Sequence, residues 1–175
     1  MTNTFESAGV SRRTGHPQVK VPGIRVTIDA NMAPYIKTLK DAGLRTKHSC
    51  GGDEFPYIEG QTADKDVILV IRDILKRQGF VESYNSEEGG LVYDKYDNKN
   101  HIIASAYADY YKGVNDIREE FGFKTINEYE WSIYSNIGEK GIKTIIKPFV
   151  DAIKCSTIPK FKKGRVVPGY KVKPS

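Results

Sequence analysis

The residues best suited to chemistry lie close together in the segment 43–52, which reads GLRTKHSCGG. It combines a thiol, an imidazole and two cationic side chains, followed by two glycines whose backbone N–H groups no side chain covers. Positive charge and open amides lower the pKa of a nearby thiol, and consecutive amides form anion-binding concavities. The segment therefore predicts a site for an anionic ligand, formed by Arg45, Lys47, His48, Ser49, Cys50, Gly51 and Gly52.

Cys50 has other interpretations that stay open at this point. Free cysteine is among the most buried residue types, so a Cys-Gly-Gly turn also suits plain packing. A thiol near His48 and Lys47 is alternatively a nucleophile. His48, Cys50, Asp53 and Glu54 are metal-ligand types, but the chain has no second cysteine or histidine pair at zinc-site spacing. We therefore expect no metal and no other cofactor, and we assign no catalytic residue.

The elements that position this segment follow a split βαβ order. Six elements are predicted within residues 23–84: a strand at 23–28, a helix ending at Gly43, strands at 44–50 and 57–61, a helix from Thr62 to Gly79 and a strand at 80–84. This order is typical of a ferredoxin-like α+β core, with two helices on one face of an antiparallel sheet. Extra strands and C-terminal helices should extend it: strands at 91–96 and 101–107, helices at 110–121 and 139–154 (kinked or interrupted at Pro148), and a segment 128–137 that fits either type.

Two geometric expectations follow from that order. Strict alternation places His48 and Cys50 on the same face of their strand as Leu44, close to the helix layer. Asp29 ends the first strand, which should pair antiparallel with the strand at 57–61. The Cys50 turn would then lie at the opposite edge of the sheet, which argues against an Asp29–Cys50 pair.

Charge divides the chain into an acidic body and basic ends. The net charge is +5, yet residues 154–175 contain seven basic and no acidic side chains. We expect a flexible basic arm at 1–22, a single α+β domain at 23–153 and a basic tail at 154–175. Such tails suit a phosphate backbone or an acidic partner, although polar tails also simply maintain solubility.

Two cysteines far apart in the chain predict a reduced compartment, not a disulfide framework. The N-terminus lacks the apolar core of a signal peptide, and no apolar run is long enough to span a bilayer. The expected location is the cytoplasm, without a membrane partner.

The hairpin pattern Gly43-x-x-Thr46-x-x-Ser49-Cys50-x-Gly52 resembles one found in small phage and bacterial α+β proteins. Its Ser-Cys-x-Gly is also distantly similar to the Ser-Ser-Cys-Ser-Gly-Arg run of the tRNA methyltransferase family of wybutosine synthesis. That similarity implies an RNA-linked fold that uses S-adenosylmethionine. Asp53 stands where that family has arginine, so no catalytic role is carried over.

These observations predict a non-catalytic protein that binds an anionic, nucleotide-like ligand. The resemblance and the composition favour an accessory protein of a phage or other mobile element, acting by sequestration or counter-defence as a homo-oligomer in the host cytoplasm. The eleven tyrosines can stack nucleobases on an open sheet face, although core packing is their commoner role. The alternatives are an RNA-modifying or thiol-dependent enzyme and a virion or assembly component.

Overall fold

The computed structural model describes residues 4–52, 54–85, 91–110, 117–123, 129–156 and 158. They form an α+β fold with two antiparallel sheets, which confirms the predicted fold class. The strands are β1 (Glu6–Val10), β2 (Pro17–Lys20), β3 (Thr27–Asp29), β4 (Thr46–Cys50), β5 (Tyr57–Thr62), β6 (Val81–Asn85), β7 (Leu91–Tyr96), β8 (Ile102–Tyr110) and β9 (Tyr129–Ser135). The helices are α1 (Ala33–Asp41), α2 (Lys65–Arg77) and α3 (Lys147–Cys155), the last entered through a π-helical turn (Ile142–Ile146).

The smaller sheet has the strand order β1-β2-β3. Its first two strands fall within the segment 1–22, so the expectation of a flexible arm is wrong for residues 6–10 and 17–20. Both strands lack a clear apolar alternation because they remain largely exposed, with Val19 alone packing on the core. Cross-strand pairing, as at Ser7↔Val19 and Val19↔Ile28, orders this segment.

The larger sheet has the order β4-β5-β9-β8-β7-β6, and the ferredoxin-like pairing is not confirmed. The predicted first strand is β3, which belongs to the smaller sheet, and β9 takes the place beside β5. Trp131 and Ile133 of β9 are buried opposite Gly60 and Ile58. A seven-residue strand that buries two large side chains competes better for β5 than the three-residue β3 does.

Helices cover one face of the larger sheet. Trp131 packs on Phe149 of α3 with ring centroids 5.9 Å apart, and α3 contacts both α1 and α2. Pro148 cannot donate a backbone hydrogen bond, and the preceding turn widens so that the Lys147 N–H reaches the Ile142 carbonyl. The predicted interruption at this proline is therefore confirmed.

The remaining predicted elements have mixed outcomes. The ambiguous segment 128–137 contains strand β9. The helix expected at 110–121 falls mostly outside the described residues, of which 117–120 are helical and Tyr110 ends β8. The tail expected at 154–175 begins inside α3, and its residues 157 and 159–175 also fall outside them. Within the described ranges, none of the helices combines the length and apolar character needed to cross a membrane.

Candidate functional site

A β-bulge in β4 decides where the predicted site residues point. The pairing with β5 shifts between Thr46 and His48, after which His48 lies opposite Glu59 and Cys50 opposite Tyr57. These partners alternate with the buried Ile58, so His48 and Cys50 lie on the face away from the helices. The expectation that they share the face of the buried Leu44 is wrong, because the extra residue in a bulge reverses the alternation.

Asp29 lies directly against the Cys50 turn. Its Oδ2 accepts a hydrogen bond from the Gly51 N–H at 2.7 Å and lies 3.1 Å from His16 Nδ1, while its Oδ1 accepts from the Gln18 side-chain amide. The expectation that Asp29 and Cys50 lie at opposite edges is therefore wrong. It assumed that β3 and β5 pair in one sheet, whereas β3 ends beside β4 from a separate sheet.

Three side chains with metal-ligand chemistry meet here. A ring nitrogen of His16, a carboxylate oxygen of Asp29 and the Cys50 Sγ all lie within 4.8 Å of one another. Asp29 is buried, whereas His16 and Cys50 are partly exposed. Sequence reasoning missed His16 because it lies in the segment assigned to a flexible arm. No motif links the three positions, and only the place of Asp29 at a strand end could have indicated the cluster.

Gly51 of the diglycine corner makes its hydrogen bonds within the protein. Its N–H donates to Asp29 Oδ2 at 2.7 Å, and its carbonyl accepts from Asn31 Nδ2 at 3.1 Å. A Cβ on Gly51 would stand 1.8 Å from Asn31 Oδ1, so glycine is required for this close approach. The Gly51 amide is therefore not available for the anion cradle that the sequence predicts.

The pKa values of the Asp29 carboxyl and the Cys50 thiol shift in opposite directions. Burial alone would raise the pKa of Asp29, but hydrogen bonds from Gly51, His16 and Gln18 outweigh burial and lower it. Burial raises the pKa of the Cys50 thiol, and the neighbouring Asp29 carboxylate raises it further against the Gly52 amide. The carboxylate is therefore ionised at neutral pH, and the thiol beside it keeps its proton.

A second feature is a cavity of about 400 Å³ on the sheet face away from the helices. Lys47 Nζ lies 3.8 Å from Glu130 Oε1, and the Tyr134 hydroxyl donates to Glu59. Tyr134 also stacks on Tyr57, with ring centroids 5.3 Å apart. The lining comprises Lys47, Glu59, Gly60, Val92, Ser105, Ala106, Tyr107, Glu130, Trp131, Ser132 and Tyr134.

The structure thus divides the predicted site residues between two places. Cys50, Gly51 and Gly52 belong to the His16–Asp29 cluster, and Lys47 belongs to the cavity. Arg45 is exposed just before β4, and Ser49 faces the helix side opposite Ile58. His48 is exposed on the face that carries the cavity.

No family model, curated protein or solved structure matches this chain.

Proposed function

We propose that this chain is a non-catalytic binding protein for a nucleotide-like ligand, whose base lies in the cavity on the open sheet face. The observation that carries the proposal is the lining of that cavity, where aromatic and hydrogen-bonding side chains surround about 400 Å³. Binding sites for small molecules typically combine such apolar and aromatic surface with a few convergent polar groups.

The lining suits a base better than a phosphate. Tyr107 and Tyr134 contribute aromatic rings to the lining, and the carboxylates of Glu59 and Glu130 are acceptors suited to the ring and exocyclic N–H groups of a base. Two carboxylates against the single ammonium of Lys47 make the cavity unfavourable for an anion.

The anionic end of the ligand belongs at the other end of this face. Cys50, Tyr57 and Tyr134 form a row across β4, β5 and β9, which connects the cavity with the His16–Asp29–Cys50 cluster. Burial raises the pKa of the Cys50 thiol and of the Tyr57 hydroxyl, and the positive charge of Arg13 opposes that rise at both groups. A nucleotide whose base occupies the cavity would direct its phosphate along this row.

Calorimetric titration with nucleosides and their 5′-monophosphates tests the proposal. We expect one saturable site, and we expect Tyr107→Ala to weaken binding by about fivefold to 150-fold, because stacking of one base contributes about 1–3 kcal/mol. Tyr96→Ala is the matched control, since Tyr96 is an exposed tyrosine of the same sheet outside the cavity lining. Absence of binding, or an equal loss in both variants, would refute the proposal.

A thiol-dependent enzyme is the second candidate, because Cys50, His16 and Asp29 are the side-chain types of a nucleophile, a base and its orienting acid. This candidate has one difficulty, because the neighbouring Asp29 carboxylate raises the pKa of the Cys50 thiol and so disfavours the thiolate. The chain would then require a cation at the cluster before Cys50 could ionise.

From the sequence we further propose an accessory role in a phage or mobile element, a homo-oligomeric state, a location in the host cytoplasm and contact of the basic residues 154–175 with nucleic acid. The last of these predicts RNA binding that weakens steeply with salt, which filter binding at several ionic strengths would measure.

A further inference from the structure

The three side chains at the start of β2, the end of β3 and the end of β4 present one nitrogen, one oxygen and one sulfur donor to a common point. We propose that His16, Asp29 and Cys50 bind a divalent transition-metal ion of borderline softness, Zn²⁺ being the probe of choice. This inference does not depend on the nucleotide-binding proposal, since it concerns different side chains.

The donor set matches the preferences of zinc. Imidazole nitrogen, thiolate sulfur and carboxylate oxygen are its usual protein ligands, at about 2.0–2.3 Å from the metal. Donors around a tetrahedral ion with such bonds lie about 3.4–3.6 Å apart. His16 Nδ1 and Asp29 Oδ2 are already 3.1 Å apart, and no separation among the three donor atoms exceeds 4.8 Å. A rotation of the partly exposed His16 ring or Cys50 side chain that moves its donor atom by about 1 Å would complete the site.

Hydrogen bonds hold the donor side chains in place, as the outer contacts around a metal site do. Asp29 is fixed by the Gly51 amide and the Gln18 side chain, and Asn31 in turn holds the Gly51 carbonyl. Gly52 lies close to the Cys50 sulfur, since a Cβ on this glycine would stand 3.3 Å from it. Hydrogen bonds of this kind orient ligands before a metal arrives and contribute strongly to affinity.

Charge balance also favours a cation at this place. The buried Asp29 carboxylate lies 3.1 Å from the His16 ring nitrogen, and the Cys50 sulfur lies within 4.8 Å of both donor atoms. A divalent cation between them would neutralise the carboxylate and convert the thiol into a thiolate ligand, with one proton released to solvent. The same cation would join the smaller sheet to the edge of the larger one, because its ligands come from β3, β4 and the entry to β2.

The site would keep one coordination position for an external ligand. Three protein ligands with a fourth position held by water are typical of zinc sites that exchange ligands. His16 and Cys50 are partly exposed, which leaves that position on the solvent side. An anion such as a phosphate is the class of ligand that this position would take.

Metal titration of the full chain, purified in chelator and then freed of it, tests the proposal. We expect one equivalent of Zn²⁺ to bind, and Co²⁺ to give a thiolate-to-metal charge-transfer band in the near ultraviolet. His16→Ala and Cys50→Ser should each lower affinity by about tenfold to a hundredfold or more, and Cys50→Ser should abolish the band. The controls His101→Ala and Cys155→Ser should change neither, because His101 pairs with Asp97 on the surface and Cys155 is exposed on α3.

Three results would overturn the proposal. They are absence of stoichiometric binding by the wild-type protein, a cobalt complex without sulfur charge transfer, and binding that survives both ligand substitutions. The second result is measured on the wild-type chain, so it holds even if a variant fails to fold. Nucleoside titration in chelator separates the two proposals, because the cavity needs no metal.

Discussion

Replacing Asp29 with alanine removes the acceptor that connects three parts of the chain. The carboxylate accepts from the Gly51 backbone, from the Gln18 side chain and, at 3.1 Å, contacts the His16 ring. It is 7% exposed, so water cannot easily take its place. The substitution therefore tests whether the cluster also stabilises the fold in the absence of metal.

The expected loss follows from the burial of each partner. The Gly51 N–H is buried and would be left unsatisfied, at a cost of about 1–3 kcal/mol. The side chains of His16 and Gln18 are partly exposed and would recover water, so each adds about 0.5–1 kcal/mol. We expect the free energy of unfolding to fall by about 3 kcal/mol in total, which lowers Tm by about 6–12 °C in a domain of this size.

Urea denaturation followed by tryptophan fluorescence measures this loss. Trp131 is the only tryptophan and is 1% exposed, so its emission reports the unfolding of the larger sheet. The matched control is Asp97→Ala, because Asp97 also accepts two backbone N–H groups and pairs with a histidine, but at the surface. Asp29→Asn, which keeps an acceptor for the Gly51 amide, should lose less than Asp29→Ala.

An Asp29→Ala variant that unfolds at the same urea concentration as the wild type would refute this reasoning. A loss equal to that of the Asp97 control would do so as well, because it would mean that burial of the Gly51 amide contributes nothing. Either result would concern only the hydrogen bonds of the metal-free protein. The metal titration tests the metal site independently of them.

The remaining predictions use the same two regions. Because the folded-state pKa of Asp29 is lowered, its contribution to stability is complete above the ordinary value of 3.8 and is lost as the pH falls through the lower folded value. Urea midpoints measured across acidic pH should therefore fall less steeply in Asp29→Asn than in the wild type, and equal slopes would contradict this. Iodoacetamide at neutral pH should alkylate Cys50 more slowly than the exposed Cys155, as peptide mass analysis would measure, and faster reaction of Cys50 would favour the thiol-enzyme alternative. Gly60→Ala should lower the free energy of unfolding by about 3 kcal/mol in urea denaturation monitored by circular dichroism, because its Cβ would stand 2.3 Å from the Trp131 ring, and an unchanged midpoint would contradict that packing.

The sequence predicted the elements of this fold better than their pairing. The stripe of α2 and the alternation of β5 follow directly from apolar spacing. α2 begins at Lys65, close to the expected Thr62, and Asp64 provides its N-cap. The pairing of β5 with β9 could not be read from local patterns. It depends on which strand buries more against the helices, and Trp131 and Ile133 lie more than seventy residues further along the chain.

The candidate site was only half visible for a similar reason. Cys50 and its glycines attract attention by residue type, whereas His16 lies in a polar segment without periodicity. The bulge between Thr46 and His48 moves Cys50 to the opposite face of the sheet, and no residue type in β4 predicts this bulge. The cluster therefore depends on contacts between two sheets whose strands are distant in sequence, and these contacts exist only in the folded chain.

X-ray absorption at the zinc edge of the loaded full-length protein measures most directly whether the His16–Asp29–Cys50 cluster is a metal site. We expect a first shell with one sulfur at about 2.3 Å and nitrogen or oxygen donors at about 2.0–2.2 Å, and loss of the sulfur in Cys50→Ser but not in Cys155→Ser. A shell without sulfur, or the same shell in both variants, would contradict it.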